Sequence, residues 1–191
     1  ADHWQGGCEI AGHLAGLGHR RILIIGNNQE SSVQNDRADG IRSGMRSDMH
    51  AETLWIDRLE RDSGSGCPLG LAEKVRQGFT AFAALSDLQA LRALTELQQA
   101  GVNIPADVSV TGFDDISTEL DFSPSVTSLA FPGLDMGRRA VELVCTPLEG
   151  AAPHQSFPVE LKIRKSSAPP PSSVLTDHAQ PQIRILMNRT H

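Results

Sequence analysis

Apolar positions follow two rhythms along this chain, and their alternation predicts a layered α/β fold. Ile10, Leu14 and Leu17 fall on one stripe of a helix over 6–17, which Gly18 stops. Ile22, Leu23, Ile24 and Ile25 then run without a polar break to Gly26, the pattern of a strand covered on both faces of a parallel sheet. A polar loop over 27–35 leads into a helix expected over 36–49, and Thr53 to Ile56 reads as a second strand. Asp62 to Gly66 is a loop of Ser and Gly, followed by a helix over 68–77 and a third strand from Phe79 to Leu85. Ser86 and Asp87 open the next helix, Ser86 and Gln89 standing at capping-box spacing, with Leu88, Leu91, Leu94 and Leu97 along it. Gly101 and Pro105 close that helix before Val108 to Gly112, a β-branched run that suits a buried fourth strand. Strands alternating with helices in this way predict a parallel sheet with crossover helices.

After Asp115 the pattern loosens. Ser125 to Leu129 is a brief extended segment, and a helix over 134–148 places Leu134, Gly137, Val141, Val144 and Leu148 on one face. Phe157 to Ile163 alternates like an edge strand, where Pro158 is tolerated. From Ser166 the composition, SSAPPPSSV, predicts a disordered tail, and Ile183 to Met187 forms an apolar island with no assigned role.

A length of 191 residues suits one domain with a core, and a net charge of −6 argues against this chain holding a DNA backbone by itself. Aromatics are 4% with no Tyr, so no stacking platform for single strands is expected. No apolar run approaches the roughly 18 residues of a membrane span, and the first residues lack the character of an export signal. Cys8, Cys67 and Cys145 are far apart and form no C-x-x-C pair, which supports neither zinc nor a redox motif. They fit thiols in a reducing, cytoplasmic compartment. Neither metal nor cofactor is expected.

Asp114 and Asp115 stand at the carboxyl end of the fourth strand, where open α/β sheets bind ligands. Asp114 is placed to accept from a ligand hydroxyl or ring N–H, whereas Asp115 is more simply a cap. Arg37, after the loop that follows the first strand, offers a planar fork for vicinal oxygens or a carboxylate; its competing role is that of a solvated surface arginine. Ser86 and Asp87 lie at the same edge, and capping explains them. His19 reads as structural and Trp55 as core. Nucleophile-elbow, metalloprotease and phosphate-loop signatures are missing, so nothing argues for an enzyme.

Four stretches together, GHLAGLGHRRILIIG, RADGIRSGM, ALSDLQALRALTELQQAGVNIPADVSVTGFDDI and PSVTSLAFPGLDMGRRAVELV, resemble the effector-binding core of LacI/GalR-type bacterial transcription regulators, over about residues 2–167. The resemblance implies a periplasmic-binding-protein-like fold with two lobes around a cleft. It divides the chain into a main α/β lobe over 2–130, a segment over 131–150 crossing to another lobe that is mostly missing, a return strand over 151–167, and a disordered tail over 168–191. It implies that Arg37 grips a small-molecule effector, a sugar or nucleoside-like compound, and that Asp114 accepts the effector's hydroxyl or N–H. Ser86 and Asp87 stand where the family usually has Asn-Asp, and Phe131 where many members carry Gln, favouring an apolar or stacking contact over a hydrogen bond. A homodimer packing partly through the helix Asp87 to Gln99 is implied, with operator DNA reached only through a helix-turn-helix headpiece not found in this sequence. The helix over 134–148 would cover a sheet of the other lobe, so its apolar face is expected to drive association. The competing reading is a stand-alone sugar-binding protein of a transport system, and an α/β enzyme stands third.

Overall fold

The computed structural model describes residues 2–116, 124–145 and 155–172. Its elements in order are α1 (His3–Leu17), β1 (Arg21–Gly26), α2 (Ser32–Gly44), β2 (His50–Trp55), α3 (Ile56–Ser63), α4 (Leu71–Arg76), β3 (Ala81–Ala84), α5 (Asp87–Gln99), β4 (Ser109–Phe113), β5 (Thr127–Ala130), α6 (Gly133–Cys145) and β6 (Glu160–Lys162). One six-stranded sheet in the order β2-β1-β3-β4-β5-β6 carries the fold. Its first five strands are parallel and β6 pairs antiparallel with β5 at the edge, as the alternation over 157–163 predicts. All five parallel strands therefore end on the same side, which becomes the floor of a site.

The apolar run of β1 divides by the strand period of two. Ile22 and Ile24 face α1 and α2 with Ile10, Leu14, Ile41, Phe113 and Leu129, while Leu23 and Ile25 face the α4 and α5 layer with Phe79, Phe82, Leu94 and Leu97. The α1 and α2 axes approach unusually closely. A Cβ added at Gly7 would sit 2.3 Å from the Arg37 carbonyl oxygen, and one at Gly40 would sit 2.0 Å from that of Trp4. Two helices touching backbone to backbone fix the height of α2, and with it Arg37.

Three local expectations change. α2 begins four residues earlier than its pattern suggests, because the Ser31 hydroxyl caps it by accepting from Gln34 N. α3 occupies a stretch whose sequence reads as the end of a strand and a loop. Ile56 is its one buried residue, so it carries no apolar stripe to reveal it. Ser86 does stand at the α5 N-cap, yet its hydroxyl engages the Gln89 side chain rather than a backbone N–H.

The largest correction concerns the chain after Ser166. The Pro- and Ser-rich composition predicts disorder, but residues 166–172 are laid against the sheet. Val110 N donates to Ser166 O (2.8 Å), Ser166 Oγ donates back to Val110 O (2.6 Å) and accepts from Thr127 N (2.8 Å). This stitches β4 to β5, and small hydroxyl residues serve because they satisfy strand ends that a larger side chain would crowd. Ala168 O meets His19 Nε2 at 2.9 Å, and the Pro170 ring lies against Gly18. The rest of the predicted tail, 173–191, lies outside the described residues, as do Leu148 and the end of the helix expected to reach it.

His19 is structural, as its position between helix and strand suggests. The ring is buried, with Nδ1 at 2.9 Å from Thr80 Oγ1 and Nε2 at 3.0 Å from Ser109 Oγ. Burial pushes its pKa down to about 4 from 6.5. The folded protein therefore holds His19 neutral where the unfolded chain would take up a proton. That stability is whole above about 6.5 and lost as pH falls toward about 4. At roughly 1.4 kcal/mol per unit, the acid loss amounts to about 3 kcal/mol at most. Urea unfolding followed across this window should show the decline, and His19→Asn should flatten it; an unchanged slope in the variant would place the acid sensitivity elsewhere.

Candidate functional site

The carboxyl ends of β3, β4 and β5 lead directly into Leu85, Asp114 and Phe131, and α2 lowers Arg37 onto them. Phe113 closes β4 from below, and Asp114 follows it with φ 94°, then Asp115 with φ 55°. Left-handed conformations at two consecutive non-glycine residues carry a local cost, held here by Asp114 N donating to Leu129 O at 2.9 Å. The turn presents the Asp114 carboxylate beside α2.

Arg37 is buried rather than solvated. Its Nη2 donates to Asp114 Oδ1 at 2.8 Å, Nη1 to Leu85 O at 2.7 Å, and Nε to His3 Nδ1 at 3.3 Å. The guanidinium carbon lies 4.8 Å from the Phe113 ring centroid and 5.2 Å from that of Phe131, close enough for both rings to attract the cation. His3 meets Phe131 edge-on, with centroids 5.2 Å apart and planes at 66°. Because His3 Nδ1 accepts from Arg37, its ring proton resides on Nε2. Burial, and then the Arg37 charge, lower its pKa below the ordinary histidine value.

Of the residues singled out by sequence, Arg37, Asp114 and Phe131 come together. Ser86 lies at the same rim, half-buried and tied to Gln89. Asp87 lies beneath that rim, its side chain fully buried. Its Oδ1 accepts from Ser128 Oγ at 2.6 Å and Oδ2 from Ile116 N at 2.8 Å, so it joins β5 to the turn after β4. Gly112 leaves room for it, since a Cβ there would lie 2.1 Å from Asp87 Oδ1. Asp115 forms an ion pair with Arg164 at 2.5 Å, and Arg164 also donates to Val126 O; most of the turn or helix that Asp115 is expected to cap lies outside the described residues. His3 and Phe113 are added to the site. His3 sits in an N-terminal stretch with no motif, and Phe113 reads as the last core residue of its strand, so only the fold reveals their contact with Arg37.

The Arg37–Asp114 pair suits binding rather than proton transfer. Arginine does not give up its proton in proteins, and Asp114 is already paired with it. Among the described residues no three His, Cys, Asp or Glu side chains gather to hold a metal, and no helix is long and apolar enough to cross a membrane.

A parallel sheet with a polar cluster beyond its strand ends is the architecture of an α/β ligand-binding lobe. Residues 11–167 match the periplasmic binding protein-like domain family. The ribose operon repressor of Haemophilus influenzae is 33% identical over 132 residues, covering 68% of this chain and 40% of the repressor. The HTH-type transcriptional repressor PurR of the same species is 27% identical over 175 residues, covering 86% of this chain and 52% of that protein. A solved structure of a putative LacI transcriptional regulator from Bacillus cereus subsp. cytotoxis superposes with a TM-score of 0.74 at 25% identity, covering 88% of this chain and 62% of the other. The chain belongs to the periplasmic binding protein-like family, as an effector-binding domain of the LacI/GalR type. It spans about half the length of the curated relatives it matches.

Proposed function

We propose that this chain is the small-molecule sensing domain of a LacI/GalR-type transcriptional repressor, with Arg37, Asp114 and Phe131 forming its side of the effector cleft and Ser86 at the rim. The observation that carries the reading is the Arg37–Asp114 pair at the carboxyl ends of β3 and β4, a buried cation holding a part-exposed carboxylate where sheet loops converge. The names of the relatives, a ribose operon repressor among them, support a sugar or nucleoside-like effector and an operator-binding whole protein. In that protein, effector binding shifts the arrangement of two lobes and so the affinity for DNA. The parent is a cytoplasmic homodimer, α5 contributing to its interface, and a binding protein rather than an enzyme.

Thermal melts with D-ribose, other pentoses and hexoses, nucleosides and nucleobases test this reading. A ligand that binds only the folded state raises the midpoint by mass action. One compound class is expected to raise it in the parent repressor, with the shift lost in Asp114→Ala. Equal shifts in wild type and variant would remove Asp114 from the site.

A further inference from the structure

Among the described residues, every buried or half-buried arginine but one meets a carboxylate: Arg20, Arg37, Arg92, Arg139 and Arg164 all do. The exception is Arg21, the first residue of β1. Its guanidinium carbon lies 4.8 Å from the Phe79 ring centroid, and its buried Nε has no acceptor. A ring attracts a cation without offering the paired oxygens that a guanidinium fork matches. The surroundings are cationic too. Lys74 Nζ lies 5.2 Å from the same centroid, and His50, paired with Arg21 in the register of β1 and β2, has its ring 6.2 Å from that of Phe79. The nearby carboxylates are already engaged. Glu52 lies 2.5 Å from Lys74 Nζ and 3.7 Å from His50, while Asp48 lies 2.7 Å from Arg20 and 3.4 Å from Arg46. Around the starts of β1 and β2, Arg20, Arg21, Arg46 and Lys74 thus outnumber Asp48 and Glu52, in a chain of net charge −6.

We infer that Arg21 anchors a binding site for a phosphate-type oxyanion at the amino ends of β1 and β2, with Lys74 and His50 alongside. Two oxygens of such an anion match the guanidinium fork, and Lys74 adds a point charge. The ion supplies the acceptors that the protein withholds from Arg21 and offsets the local surplus of positive charge. The parallel strands run from this end toward Arg37 and Asp114, so the two sites lie at opposite ends of the sheet and can be filled together. Inorganic phosphate and a phosphorylated small molecule share the required chemistry.

Isothermal titration calorimetry of the full chain with inorganic phosphate, at fixed ionic strength and near-neutral pH, tests the site. Saturable binding with a dissociation constant of about 1 mM is expected. Arg21→Gln should weaken it about tenfold or more, since the fork and its charge are both lost. Arg21 holds no hydrogen bond or ion pair among the described residues, so this variant should melt like the wild type. Arg21→Lys keeps the charge without the fork and should fall between the two. Arg61→Gln, which removes an exposed arginine of α3, should leave binding unchanged. Glucose 6-phosphate separates the two sources. Tighter binding than phosphate, with the same dependence on Arg21, identifies a phosphate ester as the ligand; equal or weaker binding identifies the free ion. Absence of saturable phosphate binding, or binding that survives Arg21→Gln, would overturn the proposal, the second result placing phosphate elsewhere on the chain.

Discussion

Gly40→Ala is expected to abolish the cooperative melt of this chain or lower its stability by about 3 kcal/mol or more. The new methyl would stand 2.0 Å from the Trp4 carbonyl oxygen and within 3.0 Å of the Gly7 backbone, and neither obstacle is a flexible side-chain end. Relief requires α2 to lift from α1, which opens the layer of Ile10, Leu14, Ile24 and Ile41 and carries Arg37 away from Leu85 and Asp114. Gly12→Ala is the control on the same helix pair. A Cβ there meets nothing within 4 Å, so the better helix former should leave stability unchanged or raise it by up to about 1 kcal/mol. Circular dichroism melts of the two variants separate close helix contact from glycine content; equal behaviour would reject the packing account.

Arg37→Met carries the second large effect. It keeps much of the side-chain length between Phe113 and Phe131 but removes the charge and three donors, leaving Leu85 O, His3 Nδ1 and Asp114 without that partner. Losing one member of a buried pair usually costs about 3–5 kcal/mol. Asp114 is partly solvated, which reduces the expected loss to about 2–3 kcal/mol. The consequence for binding is sharper, because the strained turn at Asp114 loses the group that orients its carboxylate. In the parent repressor the effector-induced rise in melting temperature should disappear, while far-ultraviolet circular dichroism remains that of the folded protein. A retained ligand response in Arg37→Met would show that Asp114 is oriented by the backbone alone.

Much of this architecture was legible in residue patterns, for reasons that differ along the chain. β1 announces itself because a strand covered on both faces needs four consecutive apolar residues, and Ile22 to Ile25 supply them. α5 is equally plain, its leucines falling at helical spacing between good helix formers. Asp114 could be placed at a strand tip because the strand before it was clear. Arg37 was harder, since an arginine in a polar helix looks solvated until α1, β3 and β4 close around it. α3 escaped because it buries only Ile56 and part of Leu59, too few apolar positions to set a helical rhythm. Asp87 reads differently in the fold because capping accounts for a residue at a helix start, while here β5 and the 114–116 turn engage both its oxygens. The Ser and Pro residues after Lys165 misled for a related reason. Composition reports how little apolar surface a segment can bury, not whether strand ends elsewhere lack partners that the segment can supply.

α6 shows the same limit from the other side. Its apolar stripe was evident, and the helix is present without one buried residue, Leu134 being 70%, Val141 63% and Val144 85% exposed. Periodicity identifies a face that needs covering. It does not name the cover.

The bond between His19 and Ala168 joins residues 149 apart, and the paired bonds between Val110 and Ser166 span 56. The seam between β4 and β5 is therefore completed by residues translated after all six strands. Until they emerge, a nascent chain holds β1 through β6 with Val110 and Thr127 still wanting their partners, and His19 keeps Thr80 and Ser109 but lacks Ala168. Contacts of such span close late and slowly. Completion of the β4–β5 seam thus waits on the end of the domain's synthesis. A stop codon just before Ser166 would make that wait permanent.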